Sequence, residues 1–328
     1  MIEYKKYLCE AALRLGFSRA RVLSPFDPVA FRTRRPCKLP ENYSTGAKSL
    51  LVCALPYGNR YTRTVLGGGP EAVHGVIAPF ARFNYYREAV NRMKHLSTLL
   101  RARYGGEKSD YRILCNSPVP EKPLAEACGL GAAGRNGLII SYETGSLFII
   151  AAMTLPYALE SDQPLKPPLQ TGPRDGEAPV QFPLCGNCAG GPSGKPPCVA
   201  ACPTGAVLGN GRVDLEKCIQ WYASGHGAPE IPAPVLAVWG KRLYGCASCQ
   251  DACIHNIRPI KGVQTDQGAL PEFIDVRALL KLSDAEIKAM FKGTAMGLSW
   301  LGPRSIRRNA EAVLQYVSRF NSGTGRRS

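Results

Sequence analysis

The sequence predicts a mixed α/β (α+β) domain, followed by a cysteine-rich domain and a short C-terminal helical segment. Three observations support this. Residues 1–160 alternate between helical and strand-like apolar patterns, residues 161–183 are rich in proline and glycine, and eight of the thirteen cysteines lie between Cys185 and Cys253. A chain of 328 residues is long enough for two modest domains.

Apolar spacing identifies the elements of the first part. Tyr4–Leu15 and Arg82–Tyr104 have helical spacing, and Ser49–Leu55 is a short apolar run suited to a buried strand. Leu138–Ile140 and Leu147–Ala152 flank a Glu-Thr-Gly turn, so they predict a hairpin or a strand–turn–strand unit in the same core.

The composition places the domain limits. We expect an N-terminal α/β domain at 1–160, an exposed connector at 161–183, the cysteine-rich domain at 184–260, a helical segment at 261–320 and a disordered tail at 321–328. The helical segment contains Ser283-Asp284-Ala285-Glu286, which resembles a capping box at a helix start.

Charge and cysteine usage restrict the function classes. The chain has no run of 18 apolar residues and no signal-like start, so we expect a cytoplasmic protein with no membrane partner. A reducing cytosol keeps thiols free, and close cysteine spacings there indicate metal binding. The net charge of +16 favours a polyanionic partner such as nucleic acid, although a merely basic, solvated surface is the alternative.

The cysteine spacing predicts two [4Fe–4S] clusters. One group is Cys-x2-Cys-x9-Cys-x3-Cys-Pro, and the other is a single cysteine followed by Cys-x2-Cys-x3-Cys. In two-cluster ferredoxins the cysteine before the proline ligates the other cluster. The predicted ligands are Cys185, Cys188, Cys198 and Cys253 for the first cluster, and Cys202, Cys218, Cys246 and Cys249 for the second. Paired zinc sites are the alternative.

With these cysteine groups and several other segments, the chain resembles the cobalamin-dependent epoxyqueuosine reductases, which are similar to reductive dehalogenases. The resemblance covers nearly the whole chain and includes both cysteine groups. The other matching segments are Ser49–Tyr57, Phe80–Arg82, Pro118–Ala125, Gly129–Asn136, Gly145-Ser146, Tyr244-Gly245 and Arg307–Ala310. It implies a cobalamin-binding α/β domain followed by a two-cluster ferredoxin-like domain.

The resemblance also implies a reaction, the reduction of an epoxide on a modified guanosine in tRNA during queuosine biosynthesis. The clusters would pass electrons from a low-potential donor such as flavodoxin or ferredoxin to cobalamin, and a protein acid would protonate the departing oxygen. General acid assistance of this kind contributes about 10²–10⁴-fold. We expect a monomer that acts on tRNA, on a modified nucleoside in tRNA or on a related small electrophile.

Three departures from the family pattern affect this implication. The family's proton-donating aspartate stands three residues before the proline that matches Pro118, where this chain has Cys115. Cys115 is therefore a candidate acid, a candidate cobalt-facing ligand or an inert core thiol, and Glu121 is an alternative acid if burial raises its pKa. Asn84–Arg87 replaces an Arg-Asp-Tyr-His type segment. We also expect a short form without the helical repeats that help longer members to hold tRNA, which weakens the inference to a tRNA substrate.

By position in the resemblance, Arg82, Arg135 and Ser146 are candidate cobalamin contacts, with ordinary surface or turn roles as the alternative. Gly129-x-Gly131-x-x-Gly134 is not a dinucleotide site, because it follows a helix and leads to a strand. Candidate nucleic-acid contacts lie beside Trp300 and near the second cysteine group, and they are Lys241, Arg242, Arg304, Arg307 and Arg308.

Two functions of other classes remain open. One is an iron–sulfur electron carrier without a substrate site, and the other is a corrinoid-reducing activator for a partner enzyme. The long α/β domain ahead of the clusters disfavours the carrier, since a carrier needs only the cluster segment. The replacement of aspartate by Cys115 is easier to understand in an activator.

Overall fold

The computed structural model describes residues 2–24, 46–58, 64–165, 182–186, 188, 194–227 and 229–324. The chain forms two compact units, each built from three separate stretches. The first unit is Met1–Asn59, Tyr86–Ala189 and Ile254–Gln264, and the second unit is Arg60–Tyr85, Gly190–Cys253 and Thr265–Ser328. The mixed α/β class is confirmed.

The helices are α1 (Ile2–Arg14), α2 (Tyr85–Tyr104), α3 (Glu121–Ala127), α4 (Pro197–Ala200), α5 (Ile219–Ala223), α6 (Ala233–Ala237), α7 (Ser248–Asp251), α8 (Ile254–Ile257), α9 (Val276–Lys281), α10 (Asp284–Phe291) and α11 (Pro303–Thr324). The strands are β1 (Arg19–Leu23), β2 (Ser49–Pro56), β3 (Val65–Leu66), β4 (His74–Ile77), β5 (Ile113–Leu114), β6 (Ala132–Ala133), β7 (Ile139–Ile140), β8 (Phe148–Leu155), β9 (Arg242–Tyr244) and β10 (Phe273–Asp275).

The core of the first unit is a four-stranded antiparallel sheet in the order β1-β2-β8-β5. All eight residues of β2 are buried, which explains why its sequence is continuously apolar and does not alternate. Helix α1 packs against β1 and buries Tyr4, Leu8, Ala11 and Ala12, which lie on one face at helical spacing. The predicted helix and buried strand are both confirmed.

Residues 138–155 form a strand–turn–strand unit but not a hairpin. Strand β7 pairs with β6, whereas β8 pairs with β2 and β5, so the hairpin alternative is wrong. Both strands still contribute to one apolar cluster, which includes Ile139 and Phe148. An apolar run shows that a strand is buried, but its hydrogen-bonding partner is set by tertiary packing.

The second unit combines a small mixed sheet with helices. Its strand order is β3-β10-β4-β9, and α11 packs against α9 and β9. Trp239 and Phe291 are the largest side chains buried in its core. The capping box is confirmed at the start of α10, where Ser283 Oγ accepts from Glu286 N and the Glu286 carboxylate accepts from Ser283 N.

Helix α2 begins at Tyr85, three residues later than the apolar spacing predicts. The preceding Pro79–Ala81 segment forms a separate 3-10 turn, and Asn84 N donates to Gln267 O at 2.7 Å, so the chain enters the helix only afterwards. Helix α11 continues to Thr324. Most of the predicted connector, 166–181, and the last four residues of the predicted tail lie outside the described residues. None of the described helices is both long and apolar enough to cross a lipid bilayer.

Candidate active site and cluster ligands

A cavity of about 210 Å³ lies in the first unit at the start of β8. Strand β8 provides Phe148, Ile149 and Ile150, and the start of α3 provides Glu121 and Lys122. The remaining lining residues are Tyr86, Asn116, Leu138, Ile139 and Ser146. An apolar wall with a few convergent polar groups is typical of a small-molecule site.

Cys115 follows β5 and lies close to two residues of the cavity lining. Its thiol is 3.7 Å from the Ile150 carbonyl oxygen and 4.0 Å from that of Tyr86. Burial, with a smaller contribution from the nearby Glu121 carboxylate, raises the pKa of Cys115 to about 12. At neutral pH Cys115 is therefore a protonated thiol that gives up its proton reluctantly.

Asn116, which sequence reasoning did not select, holds the turn after Cys115. Its φ of 51° makes it the one non-glycine residue with a positive φ among the described residues. Asparagine tolerates this left-handed conformation better than most residues, and such strain is common at functional sites. The sequence signal was weak, because an asparagine in a turn is ordinary.

Glu121 is the carboxyl group of the cavity. Desolvation by burial raises its pKa, while hydrogen bonds from backbone N–H groups, including Ser117 N at 3.0 Å, oppose the shift. The effect of burial on this pKa is larger than that of the hydrogen bonds. A carboxyl with a raised pKa retains its proton at higher pH than usual, so Glu121 has the property required of a general acid.

The three predicted cobalamin contacts differ in their surroundings. Ser146 is buried and lines the cavity; its N–H donates to Asn256 Oδ1 and its Oγ accepts from Asn256 Nδ2, both at 2.9 Å. The Arg135 guanidinium lies over the Phe182 ring at 5.0 Å. Arg82 is buried in the second unit, where it donates to Ile77 O and pairs with Glu272 at 2.8 Å.

Four predicted ligands of the second cluster influence one another within the second unit. Burial, with smaller contributions from the thiols of Cys246, Cys218, Cys198 and Cys202, raises the pKa of Cys249 to about 12. Burial also raises the pKa of Cys218, again with contributions from Cys246 and Cys202. Crowded thiols disfavour thiolates without a cation, and a bound metal reverses this preference.

The four predicted ligands of the first cluster belong to different units. Cys185 and Cys188 belong to the first unit, and Cys198 and Cys253 belong to the second. Cys185 is buried, and its sulfur accepts a hydrogen bond from Arg135 N at 3.4 Å. Helix α4, which carries Cys198, packs against α7, which carries Cys249. Across the described residues, no three His, Cys, Asp or Glu side chains are arranged to hold a single metal ion.

Three of the five arginines and lysines predicted to contact nucleic acid are bonded inside the second unit. Arg307 donates to the Leu280 and Leu282 carbonyl oxygens and pairs with Asp284, and Arg308 donates to Tyr222 O. Arg242 donates to Trp239 O at 2.6 Å and to Ser248 Oγ at 2.9 Å. These contacts favour a structural role, whereas Lys241 and Arg304 are exposed.

Comparisons with known proteins agree with this arrangement. A family model for a 4Fe-4S double cluster binding domain matches residues 184–256, a range that contains all eight predicted ligands. An epoxyqueuosine reductase of Staphylococcus aureus is 28% identical over 303 residues, covering 90% of this chain and 69% of that protein.

Solved structures show the same fold. Epoxyqueuosine reductase from Bacillus subtilis, captured with a catalytic loop swung out of its active site, superposes with a TM-score of 0.76 at 23% identity, covering 96% of this chain and 82% of that one. An epoxyqueuosine reductase bound to a modified tRNA stem loop has a TM-score of 0.75 at 22% identity, with the same coverage. The resemblance to the epoxyqueuosine reductase family that the sequence predicted is therefore confirmed.

Proposed function

We propose that this protein is a cobalamin- and iron–sulfur-dependent reductase that converts epoxyqueuosine to queuosine in tRNA. The sequence likeness to an epoxyqueuosine reductase extends over 90% of the chain, and the double-cluster model spans both cysteine groups. The observation that carries the proposal is the cavity in the first unit, where a carboxyl with a raised pKa faces apolar walls.

Glu121 is the proton donor in this proposal. An efficient general acid has a pKa near the working pH, and burial moves the pKa of Glu121 upward toward that range. The thiol of Cys115, with a pKa raised to about 12, is a much weaker acid. Cys115 thus occupies the sequence position of the family's aspartate, while Glu121 supplies the proton to the departing oxygen.

The chain's residues fit the two cofactors to different degrees. Cobalamin, when bound, would supply a low-valent cobalt centre as the reductant. Ser146 fits a role in holding it, because it lines the cavity and is positioned by Asn256. Arg82 fits less well, because its guanidinium is already paired with Glu272. The thiols of Cys202, Cys218, Cys246 and Cys249, several of which influence one another's pKa, are proposed to hold one [4Fe–4S] cluster, and Cys185, Cys188, Cys198 and Cys253 are proposed for the other.

The remaining assignments follow from the same proposal. The substrate is a tRNA stem loop, such as the one bound by the related solved enzyme. The electron donor is a low-potential flavodoxin or ferredoxin, and the protein acts as a monomer. The domain order is the one that the sequence predicts, with the cobalamin and substrate domain ahead of the cluster domain.

Anaerobic reconstitution tests the proposal directly. The full chain is loaded with iron, sulfide and cobalamin, freed of unbound cofactor by gel filtration, and incubated with a chemical reductant and epoxyqueuosine tRNA. We expect a stoichiometric Co(II) signal in the EPR spectrum, two clusters per chain, and queuosine in the digested tRNA. Cobalamin binding without any queuosine would favour the corrinoid-reducing activator, and clusters without cobalamin would favour the electron carrier.

A further inference from the structure

A basic groove lies along α2 in the first unit, apart from the residues of the proposed active site. It encloses about 650 Å³ and is lined by four basic residues, Lys94, Arg101, Lys108 and Arg112, together with hydroxyl groups that include Ser97 and Thr98. None of the described residues that line it carries a carboxylate. We call this feature the α2 groove.

The two walls of the α2 groove are held in place by local bonds. Lys94, Thr98 and Arg101 are spaced i, i+4 and i+7 on α2, so they share one face of the helix. The opposite wall is the Lys108–Asp110 turn and the start of β5. Thr154 Oγ1 accepts from Arg112 N and donates to Asp110 O, both at 2.7 Å.

Three of the four basic side chains in the α2 groove have no acidic partner in the described part of the chain. In the part of the chain that the structure describes, Lys94, Arg101 and Lys108 form no ion pair. The nearby Asp110 carboxylate accepts from Glu107 N at 2.8 Å as part of a capping box.

Arg101 adds a second, independent observation. Its Nε is buried and has no hydrogen-bond partner among the described residues. A buried donor without an acceptor is costly, so the Arg101 guanidinium lines the groove with hydrogen-bonding capacity that the described residues do not use. Other arginines of α2 are satisfied inside the unit, since Arg92 pairs with Glu88 and Arg103 lies over the Tyr7 ring at 4.3 Å.

We propose that the α2 groove binds the phosphodiester backbone of RNA. Lys94 and Arg101 are separated by roughly 10 Å along the helix axis, so the groove extends beyond a single oxyanion and fits successive phosphates of a strand. Lysine, arginine and hydroxyl donors are the groups that contact phosphates. The inference rests on the proposed function, since it adds a docking surface for the same tRNA substrate, and the net charge of +16 agrees with it.

The test compares two pairs of charge-removing substitutions in the full, cluster-loaded chain. Lys94→Gln with Arg101→Gln removes two positive charges from the α2 groove. Arg14→Gln with Arg103→Gln removes two charges beside the Tyr7 ring, outside the groove. Binding of a fluorescent, unmodified tRNA stem loop is measured by anisotropy from about 50 mM to about 200 mM salt.

The groove pair is expected to weaken binding roughly tenfold at the lower salt concentration and to reduce the slope of log affinity against log salt by about 1–2. The control pair should change binding by less than about twofold. Equal effects of the two pairs would show that only net charge matters, and no effect of the groove pair would show that RNA binds elsewhere. Either result overturns the proposal.

Two further measurements separate the remaining explanations. Lys94→Glu with Lys108→Glu changes only exposed side chains, so weaker RNA binding with an unchanged thermal unfolding curve supports the proposal even if Arg101→Gln misfolds. Inorganic pyrophosphate is titrated separately; if it binds the groove as tightly as RNA does, the groove is a small-anion site and the proposal fails. The RNA-binding assay involves no turnover. If RNA binding depends on the groove but no queuosine is formed, only the proposed function is overturned.

Discussion

One fully buried polar residue of the second unit differs from two partly buried titratable groups of the first unit. In the second unit, Asn309 is fully buried and donates to the carbonyl oxygens of Ala223 and Leu243 at 2.9 and 3.1 Å. In the first unit, burial raises the pKa values of Cys115 and Glu121. Buried groups with good partners stabilise a fold, whereas desolvated titratable groups destabilise it and persist where chemistry needs them. Asn309 therefore represents the buried groups that stabilise the fold, and Cys115 and Glu121 represent the groups that chemistry requires.

The largest expected effect is on catalysis. Glu121→Gln should lower the rate of epoxide reduction by roughly 10²–10⁴-fold, because the amide keeps the shape of the side chain but cannot donate a proton as an acid. Single-turnover assays with preloaded cofactors measure this rate, and visible spectra verify that cofactor content is unchanged. A rate within a few-fold of the natural protein would remove Glu121 from the mechanism.

The second prediction concerns stability in the second unit. Asn309→Ala should lower the free energy of unfolding by about 2–3 kcal/mol, because two buried carbonyl oxygens lose their donor. Denaturant unfolding measures the change. Glu311→Ala on the exposed face of α11 is the control and should shift the free energy by less than about 0.5 kcal/mol. Similar losses in both variants would mean that the Asn309 contacts are not specific.

The third prediction separates Cys115 from Glu121. Cys115→Ala should reduce turnover by less than about tenfold, since a thiol with a pKa of about 12 contributes little as an acid. Cys115→Asp restores the residue of the family pattern and should increase turnover if the position faces the reacting oxygen. A loss in Cys115→Ala as large as that in Glu121→Gln would transfer the donor role to the thiol.

The fourth prediction concerns cluster ligation. Cys249→Ala should lose about half of the bound iron and sulfide, because this thiol is assigned to one of two [4Fe–4S] clusters. Cys128→Ala is a suitable control, since Cys128 is buried in the apolar core of the first unit and is not a proposed ligand. Iron and sulfide are measured per chain after reconstitution. Full retention in Cys249→Ala would contradict the assignment.

The smallest expected effect is a pH dependence of stability. The folded-state pKa of Glu121 is raised above 4.5, so between 4.5 and the raised value the folded chain holds a proton that the unfolded chain has released. The free energy of unfolding should therefore fall as pH rises through this window. Glu121→Gln should remove this contribution. Parallel pH profiles for the two proteins would show that Glu121 is not desolvated.

Local sequence patterns predicted the elements that are buried along their whole length or stabilised by neighbouring residues in the chain. β2 was identified because burial of all its residues requires a continuous apolar run, and the start of α10 was identified because Ser283 and Glu286 satisfy each other's backbone groups locally. The partners of β8 and the internal bonds of Arg307 and Arg308 were not predictable, since each depends on residues distant in the chain.

The sequence by itself determined the eight-cysteine pattern, the mixed α/β class and the family resemblance, because these depend on residue type and spacing. Tertiary structure alone decided which polar groups lose water. The sequence does not show the surroundings of either Glu121 or Lys94, yet Glu121 is half-buried in a cavity wall and Lys94 is exposed in a basic groove. Desolvation depends on every chain segment that packs around a group, and no local pattern contains that information.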